Sequence, residues 1–451
     1  MMKVSRYRYA KWMGMAVLAL MLVGPLEMFA AEPLTITHAQ KAALEANPRL
    51  LAAKLDAVAA SHRTREAMGK HFGTIDAVGM YNYYERDRIV VPMAVELFAN
   101  PSLGMSQLPW DRNQWHYGFV WEIPLLTGGS LYEGDYIARL SQKALEDTAI
   151  FTRDEIRYNV RAAYRNALIL RHALTAATAY REALQKDMAD AQLKVDVGSW
   201  PPVNATKIAF ALESAKAQEE SLRNQLNTAM AMLAALMGRD APPDGYELTD
   251  IPEEPQPPAV DGTSFIDIAL GNRKDLMAIT EGTHIAERKK KLAFEAFGPR
   301  LSLGGNYFRN DAPSLHDDLE TYEVTLLLKI PLWDGLQKVF AVREADAALL
   351  ASQQREKTKR IEVVQQVIDA QGRLNAARAA LDAGKSQRKL GAEVARVEHL
   401  KLMEGKGKLE DYLAARASEM QGDAAYWQGL YSYQSAVDYL EFVTAQGGNH
   451  E

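Results

Sequence analysis

The sequence predicts a mixed α and β protein that crosses a membrane with strands and is built from two copies of one strand-and-helix unit. Three observations predict it. A junction is written twice, as "IPLLTGGSL" at Ile123–Leu131 and "IPLWDGLQK" at Ile330–Lys338. Each copy follows a run of alternating apolar residues, and each precedes a very long segment without proline. Beyond the amino terminus no apolar stretch is long enough for a membrane helix, so a crossing needs strands, whose backbone groups pair with one another.

Taken in order, the chain opens with Lys3, Arg6, Arg8 and Lys11 ahead of "WMGMAVLALMLVG". An apolar core of about 13 residues is too short to span a bilayer as a helix, and small residues follow at Ala30 and Ala31. Residues 1–31 therefore read as a secretory signal, cut near Ala30–Glu32. The composition excludes several classes. With no cysteine among 451 residues there is no disulfide, thiolate metal site or cysteine nucleophile. A formal net charge of −6 does not suggest a nucleic-acid partner. Nine scattered histidines form no metal-binding pattern, and no G-x-S-x-G, H-E-x-x-H or P-loop motif occurs. No enzyme activity, cofactor or metal is expected.

The repeat sets the domain plan. Pro124 and Pro331 are 207 residues apart, as are Gly198 and Gly405, whereas "ALEANPRL" and "ALGNRKDL" are 226 apart. The first copy (32–238) thus carries 19 extra residues relative to the second (264–443), in a loop rich in Pro, Asn and Ser between Arg86 and Gln114. This loop and the shorter one near Asn310–Leu319 are expected on the exterior side. A proline-rich, acidic linker (239–263) joins the copies as an extended element, and 444–451 is a tail.

Each copy reads helix, strand, loop, strand, long helix, tight turn, helix. A helical pattern covers about Thr37–Lys70. In "QWHYGFVWEIPL" the residues Trp115, Tyr117, Phe119, Trp121 and Ile123 share one face, and His116, Gly118, Val120 and Glu122 the other. In "TYEVTLLLKIPL" the apolar face is Tyr322, Val324, Leu326, Leu328 and Ile330, opposite Glu323, Thr325 and Lys329. The partner strands, about Thr74–Tyr84 and Arg300–Phe308, alternate in the same way. A soluble half-buried strand would look alike, but four such strands behind a signal sequence favour a membrane barrel with an apolar outer face. Four strands cannot close one, so several chains must contribute.

At the junction, Pro124 and Pro331 are expected to stop strand pairing. Thr127 and Asp334 are placed to cap the helices that follow, and Gly128, Gly129 and Gly335 to turn the backbone sharply. Those helices run over about Leu131–Val195 and Val339–Met403, on the order of 100 Å each. Shorter ones follow Gly198 and Gly405, the first over about Val203–Met237. An ordinary coiled coil would explain the helices but not the strand pairs or the duplication.

From "LTITHAQKAALEANPRLLAAK" to "YWQGLYSYQSAVDYLEF" the chain resembles the outer membrane efflux proteins, the TolC family. "ALEANP", the doubled "IPL..G", the pair "VRAAYRNAL" and "VIDAQGRLNAA", and the tips "VGSWPPVNAT" and "EGKGKLEDYL" carry the resemblance. It implies a homotrimer whose 12-stranded outer-membrane barrel continues into a 12-helix periplasmic tunnel. The implied role is the exit duct of a tripartite efflux pump or of type I secretion in a Gram-negative bacterium. The implied partners are a periplasmic adaptor, an inner-membrane transporter and outer-membrane lipid. It also implies adaptor docking at Val197, Gly198 and Ser199 and at Glu404, Gly405 and Lys406. A pore gate is implied six places after each tip glycine, at Asn204 and Asp411. Ala414 stands where the family has a second acid. A plain helix-start role for Asp411 remains open beside the gate. The rival class is a periplasmic adaptor or structural coiled-coil protein, which would not carry two duplicated strand-helix units. Seventeen methionines are spread along the chain, so no metal cargo is inferred.

Overall fold

The computed structural model describes residues 33–90, 109–240, 247–251, 254, 262–315 and 319–446. The sequence-predicted signal, most of the first hairpin loop, part of the linker and the end of the tail lie outside them. The described chain falls into two compact units.

The elements repeat in order and nearly in length. The first copy runs α1 (Ile36–Ala46), α2 (Pro48–Gly69), β2 (Thr74–Ile89), β3 (Trp110–Thr127), α3 (Ser130–Asp196) and α4 (Pro202–Leu236), after a two-residue strand β1 (Pro33–Leu34). The second runs α5 (Gly262–Asn272), α6 (Lys274–Glu295), β5 (Arg300–Asp311), β6 (Leu319–Lys329), α7 (Gln337–Met403) and α8 (Leu409–Val443), after β4 (Glu247–Leu248). Corresponding helices have 11, 22, 67 and 35 residues in both copies.

One unit holds the sheet. Its four antiparallel strands lie in the order β2-β3-β5-β6. Directly opposite residues share a face, so the register tests the alternation read from the sequence. The rows Ile75–Trp121–Gly305–Val324, Ala77–Phe119–Tyr307–Tyr322 and Tyr81–Trp115 fall on one face. The rows Asp76–Val120–Asn306–Glu323 and Thr74–Glu122–Gly304–Thr325 fall on the other. Over the half of the sheet next to the helices the apolar and polar faces are therefore continuous across all four strands, whereas toward the loops Arg309, Glu320 and Asp311 join the first face. A small core in the same unit packs Phe265 and Ala269 against Val363, Val367, Leu440 and Val443.

Three expectations need correction here. The helix expected over Thr37–Lys70 is two helices, because Pro48 disfavours helical geometry at Asn47 and lacks a donor. Asn47 instead caps α2, its Oδ1 accepting the N–H of Arg49 at 3.0 Å and of Leu50 at 3.4 Å. Pro124 does not stop pairing: β3 continues to Thr127, with Pro124 opposite Ser302 and a bulge at Leu125. The β2 ladder begins only at Thr74–Glu122, so nothing on that side demands the missing Pro124 donor. Pro331, by contrast, lies beyond the end of β6 at Lys329. The strands also outrun the sequence estimate, which shortens both loops.

The other unit holds the far parts of α3, α7 and α8 with α4 and the parallel pair β1–β4. Part of the linker is thus anchored rather than merely extended. Leu34 and Leu248 are buried. The Tyr164 hydroxyl donates to the Leu34 carbonyl at 2.6 Å and accepts from the Thr249 N–H at 2.8 Å. Asp250 receives Arg171, His172 and Tyr431. Burial pushes its carboxyl up, yet those donors outweigh it and hold the group below the usual carboxylate range. Gly384 of α7 and Gly422 of α8 serve close packing: a Cβ on Gly384 would stand 2.7 Å from the Ala425 carbonyl oxygen, and one on Gly422 would stand 2.8 Å from that of Gln387.

Candidate functional sites: the sheet faces and the helical tips

The sheet unit offers a face on each side. The apolar side exposes Ile75, Tyr81, Tyr83, Trp115, Phe119, Tyr322, Val324 and Leu326. Tyr81 lies against Trp115 with ring centroids 4.4 Å apart. On the polar side His116 Nδ1 and Asn310 Oδ1 are 2.7 Å apart, and Asn306 and Thr325 both donate to Glu323. Such a sheet separates lipid from water if its edges β2 and β6 find partners. Among the described residues no helix is long and apolar enough to cross a membrane.

The strand-to-helix junctions lie in the same unit. Gly128, Gly129 and Gly335 have φ of 65°, 96° and 70°, the left-handed region that glycine enters most cheaply. Thr127 Oγ1 accepts the N–H of Leu131 at 3.4 Å, and Asp334 Oδ2 that of Lys338 at 3.2 Å. Each acceptor stands three residues ahead of its helix.

In the second unit both tips have one geometry. Gly198 and Gly405 have φ of 74° and 72°. The N–H after each glycine returns to a carbonyl five residues back, Ser199 to Lys194 and Lys406 to Lys401, both at 2.9 Å. This is the left-handed helix ending that a glycine allows. Val197, Gly198, Ser199, Glu404, Gly405 and Lys406 are all exposed. Lys194 lies over the Trp200 ring, and Lys406 pairs with Glu404. Behind the tips Ala191, Ala205, Ile208, Leu409 and Tyr412 share one small core.

The two residues six places after the glycines start α4 and α8. Asn204 is half-buried and Asp411 exposed, and neither side chain has a hydrogen bond or ion pair to a described residue. Their neighbours Lys207 and Glu410 do pair, which ties the two helix starts together. Sequence reasoning missed the better-connected group beside them. Tyr412 is fully buried and donates to Asp187 at 2.8 Å while Arg416 Nε donates to it at 3.2 Å. Burial, reinforced by the bond to Asp187, pushes the phenol up to about 12. Asp187 and Tyr412 are 225 residues apart, so only the fold unites them.

No group of carboxylates and histidines among the described residues could hold a metal ion. What the geometry offers is a two-faced sheet and a pair of exposed helical turns. Solved channels share the fold. The Campylobacter jejuni CmeC outer membrane channel matches with a TM-score of 0.79 at 16% identity, over 92% of this chain and 87% of that one. A membrane protein from Pseudomonas aeruginosa matches at 0.77 and 18%, over 91% and 90%. The outer membrane protein VceC of Vibrio cholerae matches at 0.74 and 15%, over 91% and 95%. No curated protein sequence matches the chain. The family described as outer membrane efflux protein matches at residues 39–239 and 265–446, and the chain belongs to that family. It is a non-enzymatic outer-membrane efflux duct.

Proposed function

We propose that three copies of this chain close a 12-stranded barrel in the outer membrane of a Gram-negative bacterium, continued by a periplasmic tunnel of helices. The barrel is the exit duct of a tripartite efflux pump or type I secretion system. An inner-membrane transporter supplies the substrate and a periplasmic adaptor docks on the exposed tips around Gly198 and Gly405. The observation that carries this reading is the sheet: four strands with one apolar and one polar face, and edges at β2 and β6 that need partners. Mass measurement and crosslinking in detergent test it. A heat-sensitive trimer is expected, and a stable monomer overturns it.

Asp411 is the gate residue of this reading, and Asn204 is its counterpart after the first tip. Asp411 stands in the first turn of its helix and accepts no backbone N–H, so no capping bond occupies its carboxylate. Asp411→Asn should lower cation preference and weaken block by multivalent cations in planar bilayers, with trimer assembly intact. Unchanged selectivity would return Asp411 to the helix-start role. Labelling of Ser102→Cys in intact cells tests the exterior placement of the long loop. Labelling only after periplasmic access reverses the topology.

A further inference from the structure

We infer that the lumen face of the barrel carries two rings of opposite fixed charge, and that this step sets which charge of solute the duct favours. The lower ring is a cationic collar of Arg300 and Lys329, and the upper is a carboxylate band of Asp76, Glu122 and Glu323. The inference rests on the duct reading above and adds its specificity-determining residues.

The collar is visible in the register. Arg300 and Lys329 stand directly opposite each other at the strand ends next to the helices, on the face of Ser302, Asn306 and Thr325. Like charges facing each other across a strand pair destabilise it. Both side chains are exposed, and neither has an ion pair or hydrogen bond to a described residue. Two cations are therefore held together at the base of the barrel without an anionic partner among the described residues.

The band lies further along the same face. Asp76, Asn306 and Glu323 share one row with Val120, and Glu122 stands in the next row with Thr74, Gly304 and Thr325. Glu323 is aimed by Asn306 Nδ2 at 3.3 Å and Thr325 Oγ1 at 2.8 Å. Asp76 and Glu122 have no ion pair with a described residue.

Distance keeps the rings from cancelling. Four to six residues along a strand separate Arg300 from the rows of Gly304 and Asn306, roughly 13–20 Å. That exceeds the Debye length of about 8 Å at physiological salt. In a trimer each charge appears three times around a low-dielectric wall, which focuses its field into the lumen. Solutes arriving from the helices meet the collar first, so anions accumulate there, and cations accumulate at the band beyond.

Reversal potentials of purified trimer in planar bilayers under a potassium chloride gradient provide the test. The double variant Arg300→Gln, Lys329→Gln should raise the cation-to-anion permeability ratio at least about twofold. Asp76→Asn, Glu122→Gln, Glu323→Gln should lower it by a similar factor. The chain has no native cysteine, so Lys329→Cys offers a second route. A cationic thiol reagent should restore the wild-type ratio, and an anionic reagent should move it further toward cations. A trimer band on unheated gels, lost on heating, confirms assembly of each variant. Wild-type conductance with an unchanged ratio in both sets, and no effect of reagent charge, overturns the two rings. Absence of any conductance from wild-type trimer instead overturns the duct reading.

Discussion

The two strand-to-helix junctions are copies in sequence and opposites in packing. At the first, the turn is enclosed. A Cβ on Gly128 would stand 2.7 Å from the Glu295 carbonyl oxygen, and one on Gly298 would stand 2.8 Å from the Gly128 Cα, so two glycine backbones meet. A turn later Glu133 is buried and receives Lys291 and Arg288. At the second junction a Cβ on Gly335 would meet nothing within 4 Å. The position equivalent to Gly129 is Leu336, forced to φ 67°, and the position equivalent to Glu133 is Phe340, which is 59% exposed. The cause is topological. Strand β3 lies inside the sheet, next to β5 and the turn that enters it, whereas β6 is an edge. Duplication supplies the same turn twice but a neighbour only once per chain. In the proposed trimer the missing neighbour is the next copy.

Substitutions at equivalent positions can break that contrast. The largest effect is expected at Gly128→Val, where a β-branched side chain meets both a left-handed backbone and the Glu295 carbonyl. We expect a loss of about 3 kcal/mol or more in thermal unfolding of the trimer, against about 1–2 kcal/mol for Gly335→Val, which suffers only from its backbone. Equal damage at the two sites would mean that another chain encloses the second turn as tightly as Glu295 encloses the first. Next comes Glu133→Gln, which removes the buried carboxylate from Arg288 and leaves Lys291 only the longer contact with Glu295. A cost of about 2 kcal/mol is expected, moderated because both cations reach solvent. Loss of assembly without loss of unfolding temperature would count against a packing role.

Smaller effects sharpen the comparison. Leu336→Gly should release a side chain from left-handed geometry and stabilise by about 0.5 kcal/mol, the gain offset by the freer unfolded chain. A loss would show that Leu336 is buried against a neighbouring copy. The smallest effect is one of pH. Burial pushes the Asp334 carboxyl up, but the Lys338 ammonium and backbone N–H outweigh it and hold it below the usual range. A depressed group stabilises above the ordinary carboxylate pKa near 4 and loses that contribution as pH falls through its folded value. Hydrogen-exchange protection of the Lys338 amide should therefore decline in acid, while that of Leu131, capped by the Thr127 hydroxyl, should not. Asp334→Asn should remove the difference, and parallel decline of both amides would refute the assignment.

Much of the fold is legible in the amino-acid sequence. A period of two in "QWHYGFVWEIPL" and "TYEVTLLLKIPL" predicts faces that the register makes continuous. The absence of proline predicts the long helices, found at Ser130–Asp196 and Gln337–Met403. The break at Asn47 is also written there, since a proline follows a good capping residue, but the apolar pattern on either side masks it. Pro124 misleads because the rule against proline in strands depends on which side has a neighbour. At the tips the glycines are local features and stand out in the sequence, whereas Asp411 is singled out there only by the family resemblance. Tyr412 with Asp187, and Tyr164 with Leu34 and Thr249, do not stand out, because each joins residues far apart along the chain.

The sequence by itself determined what depends on near neighbours: the period of each element, the glycines that turn the backbone at φ above zero, and the repetition of the whole unit. Only the tertiary structure decided which strand lies inside the sheet and which forms its edge, and hence which of two matching junctions is packed. It also decided that Arg300 faces Lys329 and that Tyr412 finds Asp187. The physical reason is that backbone preferences act over a few residues, whereas charge pairing, close glycine contacts and burial depend on which distant segments the fold brings together.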